Sequence, residues 1–122
     1  MMESITKLCW GLIALIHLLP ASVLLKPSLT ETLYNVPPSG DVGVLLVHRG
    51  ALFLAVMVAA LIAAFDPSAR KIASLIAAIS MIGFLIVYAR AGLSEGALRK
   101  IAVTDAIGLL PLIWVSYQAW RA

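Results

Sequence analysis

Four long apolar runs separated by three polar connections make up most of this chain. They fall at about 5–25 (ITKLCWGLIALIHLLPASVLL), 43–65, 72–89 (IASLIAAISMIGFLIVYA) and 101–120 (IAVTDAIGLLPLIWVSYQAW). A helix needs roughly 20 mostly apolar residues to cross a bilayer, so each run predicts a transmembrane span. The expected fold is all-α, a single domain over residues 1–122 forming an integral membrane antiparallel four-helix bundle. The first run is longer than the h-region of about 7–15 residues in a cleaved signal peptide. Glu3 also stands beside a lone Lys7 in its leading segment. The first span is therefore expected to remain in the protein.

The connections differ in character. DPSARK (66–71) reads as a tight turn, with Asp66-Pro67 stopping one helix and Arg70-Lys71 opening the next. In KPSLTETLYNVPPSGDVG, Ser28 and Glu31 have capping-box spacing. Leu29, Leu33 and Val36 then recur at helical intervals, predicting a short amphipathic helix on the bilayer surface that ends at Pro37-Pro38 and Gly40. The third connection, ARAGLSEGALRK, carries Gly92 and Gly96, with Ser94 as a candidate cap for the last helix.

Composition agrees with lipid as the solvent. Hydrophobic residues are 62% of the chain and charged residues only 12%, against about a quarter charged in soluble domains. The mean hydropathy is +1.04. So small a chain cannot hide that much apolar surface in one core. The net charge of +3 comes from residues at the ends of the runs, which suits headgroup anchoring and gives no basic stripe for nucleic acid. The single Cys9 excludes an internal disulfide, and no metal site is expected. With the N-terminus inside, Lys7, Arg70, Lys71 and Arg121 face Lys26, Arg90, Arg99 and Lys100 across the membrane. The balance leaves the positive-inside rule nothing to choose with, and the compact Arg70-Lys71 turn assigns both termini to the cytoplasm.

The ionisable residues within the spans carry the candidate chemistry. From the rise per residue, His48 and Arg49 lie ~8–9 Å from the midplane, Asp105 ~8 Å and His17 ~3 Å, all toward one leaflet. Tyr88 and Arg90 end the third span on that side. Packed membrane helices turn small residues toward each other. His48 shares a stripe with Ala51, Ala55 and Ala59, Arg90 with Ala73, Ala77, Ser80, Gly83 and Val87, Asp105 with Ala102, Gly108, Leu112 and Ser116, and His17 with Trp10, Ala14 and Ala21. All four are therefore expected inside the bundle, with Arg49 at a helix seam. Asp105, the one acid within the spans, is expected to pair with Arg49 or Arg90 and to contact His48.

HLLP (17–20), LYNVP (33–37), LLVHRGALFL (45–54) and LRKIAVTDAIGLL (98–110) resemble a group of small bacterial four-helix membrane proteins related to the DoxX-like superfamily. The resemblance implies an antiparallel four-helix bundle in the bacterial cytoplasmic membrane, with His48, Arg49 and Asp105 as its polar positions. It also implies a link to quinone-coupled redox chemistry. Some relatives carry a phosphopantetheine adenylyltransferase label, which this sequence does not support, because it has no nucleotide-binding strand–loop–helix and no soluble domain to hold one.

The functional expectation is a polar pocket in one leaflet for a lipid-soluble anionic or carbonyl-bearing ligand: a quinone, an isoprenoid or a lipid headgroup. In its catalytic form His48 is the general acid/base, Asp105 orients it, and Arg49 or Arg90 stabilises negative charge. His17, Arg49, Tyr88 and Arg90 are the expected ligand-binding residues. The alternative is a structural or accessory subunit, in a homodimer or larger membrane complex, whose His/Arg/Asp cluster is a packing lock. Whether the protein is an enzyme stays open between them. No resident cofactor is expected. Haem b between His17 and His48 is disfavoured by their ~6 Å difference in depth, and a small multidrug exporter by the lack of a glutamate within the first span's apolar core.

Overall fold

A computed structural model describes residues 1–93 and 95–121, and all regular structure in them is helical. The elements are α1 (Met2–Ser22), α2 (Leu29–Tyr34), α3 (Gly40–Phe65), α4 (Arg70–Arg90) and α5 (Ala97–Trp120), with a 3-10 turn at Pro67–Ala69. The stretches Met2–Ser22, Gly40–Phe65 and Pro67–Arg90 are long and apolar enough to cross a membrane. The expectation of four such helices is met in these three. Arg99, Lys100, Thr104, Asp105 and Gln118 dilute the hydropathy of α5.

α1 packs most extensively on α3, α4 on α5, and α1 on α5, with α3–α4 the sparsest of these seams. Glu3, Ala63 and Arg70 meet at one end of the molecule. Trp114 reaches Thr6 and Trp120 reaches Ser74 near that end. The core is built largely of small residues: Ala14, Ala60, Ala63, Ala64, Ala73 and Ala77 around Trp10, Ile13, Met81, Leu112 and Val115. Leu8, Leu15, Val44, Leu45, Ile79, Ile107, Leu110 and Ile113 face outward. A water-soluble bundle would bury its leucines. Alanine inside and leucine outside is the arrangement of helices that pack by close backbone approach in an apolar solvent.

The expected inner faces of α1 and α5 are observed. Trp10, Ala14, His17 and Ala21 are buried on α1, and Ala102, Asp105, Gly108 and Leu112 on α5, with Ser116 half-buried. On α4 the stripe holds at Ala73 and Ala77, then continues through Met81 and Tyr88, leaving Val87 and Arg90 exposed.

On α3 the expectation holds only for Ala51 and Ala59, which are half-buried. Gly43, Gly50, Val56, Ala60, Ala63 and Ala64 face inward, and His48 and Ala55 are exposed. The reason is closeness of approach. A Cβ on Gly50 would stand 2.8 Å from the Leu24 backbone nitrogen, and one on Gly43 2.5 Å from the Pro37 carbonyl oxygen. These glycines let the chain after α1 lie directly against α3. His48, two residues and so about 200° from Gly50, turns outward.

The connections are each closed locally. Asp66 accepts hydrogen bonds from the Ser68 backbone N–H (3.0 Å) and hydroxyl (2.6 Å), and these hold its carboxyl below the usual value. No side-chain cap bond forms at Ser28, so the expected capping box is not made. α2 stops instead at Asn35, whose left-handed backbone (φ 58°) lets its N–H reach the Glu31 carbonyl and the Val36 N–H reach that of Thr30. Asparagine tolerates that conformation and satisfies the last carbonyls of the helix. The face α2 buries is Thr30 and Tyr34, not the leucine stripe, because it packs on α5 and α3. The cap expected at Ser94 lies outside the described residues.

Candidate functional site

The sparse α3–α4 seam opens into a groove of about 820 Å³. α3 contributes Leu46, Arg49, Leu52 and Phe53, and α4 contributes Ile79, Ser80, Gly83 and Phe84. Tyr34 of α2 and Leu98 of α5 also border it. Leu52, Ile79 and Val87 on its rim are more than half exposed (56%, 74% and 61%), so the groove opens onto the apolar exterior. The volume lies within the usual range for small-molecule sites, roughly 300–1,000 Å³.

Arg49 is the charged residue in this lining. Its guanidinium carbon is 4.7 Å from the ring centre of Phe53, 5.3 Å from Phe84 and 5.8 Å from Tyr34. Phe53 is one turn along the same helix, Phe84 comes from α4 and Tyr34 from α2. Three rings thus surround one cation, each attracting it through its negative face. Burial pushes the Tyr34 phenol above its ordinary value, and the Arg49 charge partly opposes that shift. Among the described residues Arg49 makes none of the ion pairs, which join Arg70 to Glu3 and Arg99 to Glu95.

His17 lies behind the groove, 2% exposed, with its ring 5.8 Å from that of Phe53. Nδ1 is 2.8 Å from the Ile13 carbonyl oxygen and Nε2 is 3.1 Å from Ser80 Oγ. A carbonyl only accepts, so Nδ1 carries a proton and donates it to Ile13. Ser80 connects this buried imidazole to the groove wall.

The other predicted site residues do not join this group. His48 is exposed on the outer face of α3 and does not border the groove, so its expected contact with Asp105 is corrected. Asp105 is buried as expected, but among the described residues it forms no ion pair or hydrogen bond with Arg49 or Arg90. Arg49 is near enough for its charge to act on Asp105. Yet α3 makes its main contacts with α1 and α4 and not with α5, and the Arg49 head is held among the rings. Arg90 is exposed. Tyr88 is buried, stacks on Phe84 at 6.1 Å and borders a second cavity of about 390 Å³ with Arg99 and Val103. His17 and His48 occupy different environments, one buried and one exposed, and so do not face a common cavity. No group of three or more metal-ligating side chains is assembled among the described residues.

Phe53, Phe84 and Tyr34 were missed as site residues. Phe53 was legible, since it stands four residues from Arg49 and so shares its helix face. Phe84 and Tyr34 arrive from other helices, and no spacing announces them. The ion pair between buried Arg70 and half-exposed Glu3 was missed as well. Arg70, 8% exposed, donates to Glu3 (2.6 and 3.0 Å) and to the carbonyls of Ala63 (2.7 Å) and Ala64 (3.1 Å).

No family model, no curated protein and no solved structure matches the chain.

Proposed function

We propose that the chain is a small integral membrane protein whose four long helices cross the bilayer in alternating directions, and whose α3–α4 groove binds a lipid-soluble amphiphile with an anionic or carbonyl-bearing head. Arg49 carries this reading: a guanidinium ringed by Tyr34, Phe53 and Phe84, in a groove open to the apolar exterior, with no acid in ion-pair contact among the described residues. A cation within a membrane helix costs up to about 2.5–3.5 kcal/mol on insertion scales, the full figure applying at the helix centre. Ring contacts return about 0.5–2 kcal/mol, and a carboxylate, phosphate or carbonyl at the guanidinium supplies the rest. The rim lets such a molecule enter sideways from lipid, its chain lying along Leu52, Val56 and Ile79. Quinones, isoprenoid phosphates and lipid headgroups all have this chemistry, and the DoxX-like resemblance favours the quinones by analogy only. The expected location is the bacterial cytoplasmic membrane with both termini inside. The reading is one of binding, because neither His48 nor Asp105 borders the groove.

Native mass spectrometry of the protein released from lipid nanodiscs, followed by extraction of what it carries, tests this. A bound amphiphile is expected in the wild type and in His48→Ala, and is expected to be lost in Arg49→Ala. Retention of the same molecule by Arg49→Ala refutes the reading.

A second reading has its own support. Both ring nitrogens of His17 are occupied by the protein, as in a packing lock of an accessory subunit or homo-oligomer. Purification from native membranes with a stoichiometric protein partner and an empty groove favours it.

A further inference from the structure

The groove wall has a hydrogen-bonding polarity that its lining residues alone do not reveal. Ser80 has one hydroxyl proton. Its neighbour His17 spends the Nδ1 proton on the Ile13 carbonyl at 2.8 Å. A second proton on Nε2 would put a full charge on a side chain 2% exposed, with no acid in ion-pair range among the described residues. An unpaired buried charge is strongly disfavoured. Nε2 is then an acceptor, and the 3.1 Å contact is a bond donated by the Ser80 hydroxyl to the imidazole. Ser80 borders the groove with only lone pairs left to offer. Arg49, in the same lining, offers only donors.

We infer that the groove selects an amphiphile that presents two complementary groups: an anionic or carbonyl acceptor to Arg49 and a hydroxyl or N–H donor to Ser80. This rests on the groove-binding reading above and narrows its ligand class to hydroxylated or amide-bearing heads. A simple ester or fully oxidised dione leaves the Ser80 oxygen facing an acceptor. The head is also expected to be flat and aromatic, since Phe53 and Phe84 line the same groove. Ser80 is a specificity residue here. His17 acts through it, fixing the direction of its hydroxyl.

The test is equilibrium binding to nanodisc-embedded protein of benzoates bearing a long alkyl chain. One series carries a ring hydroxyl at position 2, 3 or 4, and the other carries the matching methyl ether. The best free phenol is expected to bind about tenfold more tightly than its ether, the size of one hydrogen bond lost at a desolvated acceptor. Ser80→Ala is expected to erase that preference while keeping the binding of the ethers, and Arg49→Ala to weaken both series. Equal binding of phenols and ethers, with Arg49 still required, overturns the inference and leaves the groove reading standing. Failure of both series to bind, or binding indifferent to Arg49, overturns both.

Discussion

Arg70 holds one end of the molecule together. Its Nε and Nη2 donate to the Ala63 and Ala64 carbonyls, which belong to the last turn of α3 and have no partner within that helix. Its Nη1 and Nη2 also reach Glu3 at the start of α1. One buried guanidinium thus caps α3, begins α4 and restrains α1. Replacing it by methionine keeps most of the stem and removes every donor. Hydrogen bonds to charged groups contribute about 1.5–3 kcal/mol each, and two carbonyls lose their partner. Allowing for some access of lipid headgroups or water at a helix end, Arg70→Met should destabilise by about 2–4 kcal/mol. Arg70→Lys is expected to fall between, since one ammonium cannot span two carbonyls and a carboxylate. The half-exposed Glu3 carboxylate (54%) matters less, so Glu3→Gln should shift stability less than Arg70→Met. Reversible unfolding in mixed micelles, followed by helical circular dichroism against denaturing detergent, gives the comparison. If Arg70→Met unfolds within about 0.5 kcal/mol of the wild type, the guanidinium is not capping α3 and the reasoning is wrong.

Two further substitutions probe how the site is positioned. Gly50→Val drives a side chain into the Leu24 nitrogen and Val23 Cβ, where backbone cannot give way, and should cost about 1–3 kcal/mol in the same assay. It should also weaken any Arg49-dependent ligand, because α3 must rotate or retreat from α1. Asn35→Ala places a Cβ-bearing residue with no local hydrogen-bonding side chain in the left-handed region and should lower stability by about 1 kcal/mol. Asn35→Gly should be close to neutral, and thermal melting of the pair separates backbone strain from side-chain loss.

The candidate site was half legible in the residues. Arg49 stood out as a cation in an apolar run and was expected at a helix seam, where it borders the α3–α4 groove. His17 and Asp105 were placed correctly on the inner faces of their helices. His48 was misplaced because Ala51, Ala55 and Ala59 make as good a small-residue stripe as the glycines do. The ion pair expected of Asp105 assumed that every buried charge is met by an opposite one. Aromatic rings, which carry no formal charge, surround Arg49 instead.

Residue order alone determined the helical class, the number of long helices, the Asp66-Pro67 turn and the inner faces of α1 and α5. Each of these follows from local periodicity or turn chemistry, which a linear string carries in full. Tertiary structure decided the rotation of α3, the gathering of Tyr34, Phe53 and Phe84 around Arg49, the bond between His17 and Ser80, and the reach of Arg70 back to α3 and α1. α3 is apolar or small on nearly every side, so no periodicity distinguishes its faces. Its orientation was settled only when Gly50 met the chain leaving α1, and Gly43 the Pro37-Pro38 segment before α3, at backbone distance.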